Sequence, residues 1–194
     1  MPSPSVLIAA CSPRKNGNSD IAARILQESF SVPCAARRIA DAGIRPCQSC
    51  GHCRAHPGSC ALDRDGDGAA AIFSLLMRAR LAVLVSPIYF YHLPAQAKAL
   101  IDRTQRFWHL EPQARPLGKT ALTAVLLAGR PSGEKLFEGA ERTLRYMALS
   151  SGMDWIPALC LYGLDEPGAL AGDAGSMGRI RQFAQSLERG MAGK

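Results

Sequence analysis

Cys47, Cys50, Cys53 and Cys60 crowd into one short stretch with the spacing Cys-x2-Cys-x2-Cys-x6-Cys, so a single loop can present four thiolates to one centre. Thiolates this dense suit a soft metal or an iron–sulfur centre. Structural zinc usually takes two Cys-x2-4-Cys knuckles well separated in sequence. Two consecutive x2 spacings look more like a ferredoxin-type wrap. Here x6 stands for the ferredoxin x3 and no proline follows Cys60, so all four can serve one cluster. Zinc and free redox-active thiols remain alternatives. Arg45, His52 and Arg54 can offset the charge of such a centre, and His52 and His56 read as loop histidines rather than ligands. Cys34 and Cys160, in apolar strand contexts, read as buried thiols.

A second set of residues has the chemistry of an anion and ring site. The loop Cys11-Ser12-Pro13-Arg14-Lys15-Asn16-Gly17-Asn18-Ser19 is rich in hydroxyls, amides and cations, lacks Gly-x-Gly-x-x-Gly, and runs into a helix start. Ser12, Arg14, Asn16, Asn18 and Ser19 are its donors, and the positive helix end adds to them. That set fits a terminal phosphomonoester, or else these are turn and cap residues. Pro87, Ile88, Tyr89, Phe90 and Tyr91 follow a strand and can cover a flat heterocycle, or close the sheet as core. Gly129 allows close backbone approach and Arg130 offers a cation. Three such loops converging on one crevice describe a mononucleotide site with an aromatic slot, the shape of a flavin mononucleotide.

The elements that must position these residues alternate between strand and helix. Val6–Ala9 is a short apolar run, followed by a helix with Ile21, Ile25 and Leu26 on one side, capped by Asn18 or Ser19. A weaker strand is expected around residues 35–39 and a helix over 68–79, capped by Asp67. Leu81–Val85 is the clearest strand, ended by Ser86-Pro87. The next helix sets Ala97, Leu100, Ile101, Thr104 and Trp108 in one stripe. A fourth strand runs from Thr120 to Ala128, and Ser132 can cap a helix bearing Leu136, Phe137, Ala140, Leu144 and Met147. A fifth strand is expected near Trp155–Tyr162, before a closing helix marked by Met177, Ile180, Ala184, Leu187 and Met191. Five strands alternating with helices imply an α/β parallel sheet covered on both faces, with ligands at the carboxyl ends of the strands.

Length and composition bound the rest. The 194 residues fit one domain over 1–194, and 47% hydrophobic with 20% charged is ordinary for a soluble globular protein. No stretch approaches the roughly 20 apolar residues of a membrane span, and the N-terminus has no basic region or long enough apolar run for a signal peptide. Seven cysteines, four of them clustered, fit a reducing cytoplasm. The net charge of +7 is scattered without a Lys/Arg tract, which argues against nucleic acid and suits acidic redox partners. Three look-alikes are set aside. Asp63-Arg-Asp65-Gly-Asp67-Gly68 opens like a calcium loop but carries Ser74 at position 12, so Asp63 and Asp65 read as solvated. Gly118-Lys119-Thr120 lacks the upstream P-loop glycine, Gln113 standing there. Glu134, Glu138 and Glu141 form an exposed helix face with Arg142 and Arg145.

Ser12-Pro13-Arg14-Lys15-Asn16-Gly17-Asn18-Ser19, the cysteine loop, Ser86-Pro87-Ile88-Tyr89-Phe90 and Ala97-Lys98-Ala99-Leu100-Ile101-Asp102-Arg103 together resemble the NADPH-dependent FMN reductase family, in its iron–sulfur flavoprotein branch, over roughly residues 5 to 110. The resemblance implies a flavodoxin-like fold of five parallel strands in the order 2-1-3-4-5, with the cysteine-rich loop as an insertion at about 46–62. It implies FMN, its phosphate held by Ser12, Arg14, Asn18 and Ser19 and its ring touched by Pro87, Ile88, Tyr89 and Phe90. It further implies a [4Fe–4S] cluster on Cys47, Cys50, Cys53 and Cys60, NAD(P)H as a candidate donor, and a homodimer or homotetramer. Two departures are Cys11, where small residues are common, and Gly129-Arg130-Pro131 in place of a Gly-rich third loop.

The expected activity is a flavin-dependent oxidoreductase passing electrons between a donor, FMN and the cluster, with a small molecule or an acidic protein such as ferredoxin as partner. No side chain is assigned as catalytic acid or base; Tyr89, Tyr91 and His92 are candidates only for tuning or protonating the flavin. The alternatives are a cluster-free NAD(P)H-dependent FMN or quinone reductase, a flavodoxin-like carrier that is not an enzyme, and a thiol-based redox sensor. Flavodoxins are typically acidic and lack such a cysteine loop.

Overall fold

Side chains alternate across a strand, so a run of apolar residues flanked by helical segments must be covered on both sides. The computed structural model describes residues 5–117 and 120–192. Six strands form one parallel sheet: β1 (Val6–Ala10), β2 (Cys34–Arg38), β3 (Leu81–Pro87), β4 (Ala121–Leu127), β5 (Asp154–Trp155) and β6 (Leu159–Leu161). Their order is β2-β1-β3-β4-β5, with β6 also paired to β4, so the expected 2-1-3-4-5 α/β order is present. The helices are α1 (Asn18–Ser29), α2 (His52–Ala55), α3 (Ala69–Arg78), α4 (Ala95–Asp102), α5 (Gln105–Trp108), α6 (Glu138–Ser151), α7 (Ala169–Gly172) and α8 (Ala174–Ala192).

The period of two divides the core. Leu7, Ala9, Ala82, Leu84, Leu122, Ala124 and Leu126 point to one face, where Ile72, Phe73 and Leu76 of α3, Leu100 of α4 and Leu144 of α6 cover them. Val6, Ile8, Leu81, Val83, Val85, Val125 and Leu127 point to the other, under Ile25 and Leu26 of α1 and Ile180, Ala184 and Leu187 of α8.

Four expectations are corrected. The fifth strand is two pieces. Ala121 pairs with Asp154 but Val125 with Leu159, so one extra residue is inserted between them. Pro157, which has no N–H to donate, sits in that interval. The stripe from Ala97 to Trp108 is broken: Arg103 and Thr104 N–H bond back three residues, to Leu100 and Ile101 O, tightening the turn. That phase change buries Phe107 and leaves Trp108 57% exposed. Ser132 does not cap α6, because the chain first turns through Lys135 (φ 55°) and drops Leu136 and Phe137 into the core. The cap of α1 is Gly17, with no side-chain cap bond. Residues Gly118 and Lys119 of the P-loop look-alike, and the side chain of Asp65, lie outside the described residues. Among the described residues no helix is long and apolar enough to cross a membrane.

Leu126 is fully buried in the central strand β4. Leu126→Ala is expected to lower stability by about 3 kcal/mol, the middle of the range for a buried leucine truncated in a core. Urea unfolding of the two proteins measures it.

Candidate functional site

Parallel pairing brings the carboxyl ends of the strands to one edge. Ala10 registers with Arg38 and Val85, Pro87 with Leu127, and Leu127 with Leu161. The loops after β1, β3, β4 and β6 therefore emerge side by side. They enclose a crevice of about 220 Å³ lined by Ser12, Arg14, Asn18, Tyr89, Gly129 and Asp165, among others.

The first loop is braced from beneath. Arg38, at the end of β2, donates through Nη2 to Ser12 O and Arg14 O (both 3.3 Å), and pairs with Asp20 and Asp41. Ser12 Oγ accepts the Arg14 N–H at 3.2 Å, and Asn16 (φ 57°) donates its N–H to Asp20 Oδ2 at 2.6 Å. No side chain caps α1, so its positive first turn opens toward the loop. Of the five expected phosphate residues, Ser12, Arg14, Asn18 and Ser19 line the crevice and Asn16 does not. The Asn18 side chain has other work. Its Nδ2 donates to Leu164 O (3.0 Å) and Glu166 O (2.9 Å), and its Oδ1 accepts from Leu170 N (3.1 Å). It bolts the loop after β6 to the start of α1.

In the β3–α4 loop, Pro87, Ile88 and Tyr89 line the crevice, whereas Phe90 is fully exposed and does not. Tyr89 and His92 exchange both backbone hydrogen bonds around Phe90 (φ 48°) and Tyr91 (φ 62°), a two-residue reversal that normally selects Asn-Gly. His92 Nδ1 accepts the Leu93 N–H at 2.9 Å, so in the neutral ring Nε2 carries the proton and faces Thr143 Oγ1 at 3.0 Å. Both ring nitrogens are thus engaged within the protein, and His92 braces the loop. Arg130 donates to Tyr91 Oη at 2.7 Å, so it fixes the aromatic loop.

Asp165 enters the crevice unannounced by any motif. A Cβ on Gly129 would overlap Asp165 Oδ1, so only glycine admits that carboxylate at this point.

The cysteine arm forms a separate cavity of about 630 Å³. Cys47, Cys50, Cys53 and Cys60 all line it, with Arg54, Arg103, Arg106 and His109. His52 Nε2 is 3.1 Å from Ser59 Oγ, so this histidine braces the arm. Among the described residues no three His, Cys, Asp or Glu groups converge closely enough for one metal ion. A tetrahedral zinc needs all its sulfurs about 2.3 Å from one point. A cubane instead offers each thiolate a different iron, so its ligands need not meet at one point.

The floor of this cavity carries two buried arginines, both paired with aspartates. Arg103 is 1% exposed and Arg106 5%. Asp63, read from the sequence as solvated, accepts from Arg103 Nη2 at 3.0 Å and from Arg106 Nη1 and Nη2 at 2.7 and 2.8 Å. Asp67 pairs with Arg103 and accepts the Ala69 N–H at 3.1 Å, but the cap of α3 is Gly68 and not Asp67 as expected. Arg103 Nη1 also donates to Arg45 O at 3.2 Å. The Arg106 guanidinium lies over the Phe73 ring at 4.9 Å. Burial works against the charge on Arg103, but Asp67 and the Cys60 thiol beside it hold its pKa above the ordinary guanidinium value. Burial likewise opposes ionisation of Asp67, yet its bonds to Arg103 and the Ala69 N–H keep its pKa below the ordinary carboxylate value. A cation at the apolar phase of a helix, three residues before a second one, was the available signal.

With both sites laid out, the molecule defines itself as a flavodoxin-like α/β protein with a thiol-rich arm. The family model for NADPH-dependent FMN reductases matches residues 4–156. The chain belongs to that family. A protein named iron–sulfur flavoprotein from Archaeoglobus fulgidus is 32% identical over 139 residues, covering 69% of this chain and 59% of that protein. Another of that name from Methanosarcina thermophila is 35% identical over 66 residues, covering 34% of this chain and 32% of that protein. This chain thus spans between a third and three fifths of the curated relatives it matches. In fold it is similar to an NAD(P)H:quinone oxidoreductase from Methanothermobacter marburgensis, with a TM-score of 0.69 at 16% identity over 97% of this chain and 96% of that one.

Away from the arm, burial pushes the thiols of Cys11 and Cys160 up to about 12, with Glu141 adding to the effect at Cys160. Cys34 and Cys160 are half-buried rather than fully buried; Cys34 is also raised, by burial and by Glu188. In the unfolded chain Cys11 and Cys160 ionise near 9.0, so the folded state binds more protons between the two values. Their contribution to stability is complete below about pH 9 and is lost as pH rises toward 12. Cys11→Ala, in which the alanine retains most of the packing, is expected to flatten the alkaline fall of the unfolding midpoint, read by denaturation at a series of pH values.

Proposed function

We propose that this protein is an FMN-dependent oxidoreductase whose cysteine arm carries a [4Fe–4S] cluster, so that electrons pass between a donor, FMN and the cluster. The observation that carries the reading is the gathering of four thiols around one cavity with two buried arginines, in a chain whose neighbouring loops enclose a crevice at the carboxyl ends of the strands. Membership of the FMN reductase family and the names of the curated relatives support it.

Ser12, Arg14, Ser19 and the open first turn of α1 are suited to the FMN phosphate, with Asn18 and Asn16 setting the shape of their loop. Pro87, Ile88 and Tyr89 are suited to the ring, Phe90 to its open side, and Gly129 to the close backbone approach. FMN supplies two-electron acceptance with one-electron release, and the cluster supplies one-electron transfer. The chain's own contribution is to bind, orient and screen these groups. Cys47, Cys50, Cys53 and Cys60 are the thiolate ligands, and Arg103 and Arg106 offset their charge. NAD(P)H is the proposed donor and an acidic one-electron protein such as a ferredoxin the proposed acceptor, in keeping with the +7 charge.

A crevice of 220 Å³ falls below the roughly 300–1,000 Å³ of a complete ligand pocket. Part of the flavin therefore rests outside it, and Phe90 and Tyr91, exposed in the adjoining loop, suit a homodimer or homotetramer that closes the site. The protein works as a single domain with the arm inserted at about 46–62, in the reducing cytoplasm where exposed thiols such as Cys47 and Cys50 persist.

Anaerobic purification followed by a visible spectrum and iron and sulfide assays tests this. Flavin bands with roughly four iron and four sulfide per chain are expected. Flavin without iron after anaerobic reconstitution would leave a cluster-free reductase, and no affinity for FMN would overturn the flavin reading. Arg14→Ala is expected to weaken FMN about tenfold, the loss of one charge-assisted hydrogen bond. Cys60→Ser is expected to lose iron and keep FMN.

A further inference from the structure

Arg103 stands where three parts of the cysteine arm return to the body of the protein. At the entry to the arm its Nη1 holds Arg45 O; at the exit it holds Asp63 and Asp67, and Asp67 Oδ2 also accepts the Arg45 N–H at 3.4 Å. Midway, Gly58 donates its N–H to Arg106 O at 2.8 Å, and Arg106 grips the same Asp63 through both terminal nitrogens. Arg106 Nε in turn donates to Arg103 O at 3.3 Å. Both ends and the middle of the arm are thereby pinned by protein groups alone. One donor of this knot is left over. Arg103 Nε is buried with no hydrogen-bond partner, in a residue that lines the cysteine cavity beside Cys60. A buried N–H left unpaired is costly, so a native structure that keeps one has a missing acceptor to account for.

We infer that Arg103 and Arg106 are positioning residues that hold the cysteine arm folded before any cluster arrives, and that the free Arg103 Nε–H is the donor kept for the sulfur-ligated centre at Cys60. This rests on the cluster reading above. A hydrogen bond and a buried cation both stabilise the more negative, reduced state of a thiolate-ligated centre. Removing them therefore lowers its tendency to accept an electron. The same two aspartates explain why the cation is Arg and not Lys: a single ammonium cannot hold Arg45 O, Asp63 and Asp67 in a plane and still spare an N–H for sulfur.

Two readouts test it, on the full chain. The first uses the metal-free protein and hydrogen exchange. In Arg103→Gln and Arg103→Lys, the Gly58 amide and its neighbours in the arm are expected to exchange at least tenfold faster than in the unaltered protein, while amides of α8 keep their rates. Unchanged rates in the arm would overturn the preformed cradle. Arg103→Lys retains a cation for Asp67, so it decides the question if Arg103→Gln does not fold.

The second uses protein reconstituted anaerobically with iron and sulfide and poised at the unaltered protein's cluster midpoint. The ratio of reduced to oxidised cluster, read by electron paramagnetic resonance, is expected to fall at least tenfold in Arg103→Gln, which is 59 mV for one electron, and to fall less in Arg103→Lys. A merely structural arginine would leave this ratio unchanged in whichever variant folds and loads, and that result would overturn the donor role. If the unaltered protein takes up no iron and sulfide, the cluster reading and the donor role fall together. The exchange experiment still decides the cradle.

Discussion

Parallel strands joined by right-handed crossovers must all deliver their carboxyl ends to the same edge. Everything chemical in the flavin-type crevice follows from that constraint. Pro87, Leu127 and Leu161 end in register and Ala10 beside Val85, so four loops far apart in sequence become neighbours without any of them having to seek the others. What remains is to hold each loop in one shape. Polar side chains from the flanks do this: Arg38 under the first loop, Arg130 on Tyr91 of the second, and Asn18 across to the fourth. Arg38 and Arg130 keep the loops still without lining the crevice, whereas Asn18 does both.

The arm solves a different problem. A loop built around four cysteines has little apolar surface of its own to bury, so packing cannot fix it. Its order comes from ion pairs brought under the protein surface instead. Desolvating Arg103 completely is tolerable only because two carboxylates and a carbonyl surround it. Removal of one partner from such a pair typically costs about 3–5 kcal/mol, which makes the arm's fold depend on all its members at once. Phe73, stacked under Arg106 and packed on Phe107, ties this polar knot to the apolar core.

β1, β3 and β4 were legible in the sequence because they are apolar runs closed by Pro, Ser or Gly. The loop contents were legible because hydroxyls, amides and aromatics cluster where β1 and β3 end. Residues whose role is set by a partner distant in sequence were not legible. Asn18 looks like a helix cap until Leu164 and Glu166 are placed beside it, and Asp165 belongs to the crevice only because β6 pairs with β4. Asp63 read as a solvated charge because Asp63-Arg-Asp-Gly-Asp is polar throughout, while its cationic partners Arg103 and Arg106 lie far along the chain. The phase shift at Arg103 also moved Trp108 to the surface. The break at Pro157 was visible in principle: a proline inside a candidate strand argues for an edge and an interruption.

That interruption governs what the open side of the sheet can do. The outer row beyond β4 offers two residues of pairing, a proline step and then three residues one position out of phase. An incoming strand in regular register would match one piece and miss the other, so this border cannot act as a template for adding backbone from another chain. The domain is thereby shielded on this side from cross-β growth, and any contact made here must recognise side chains instead of exposed amides.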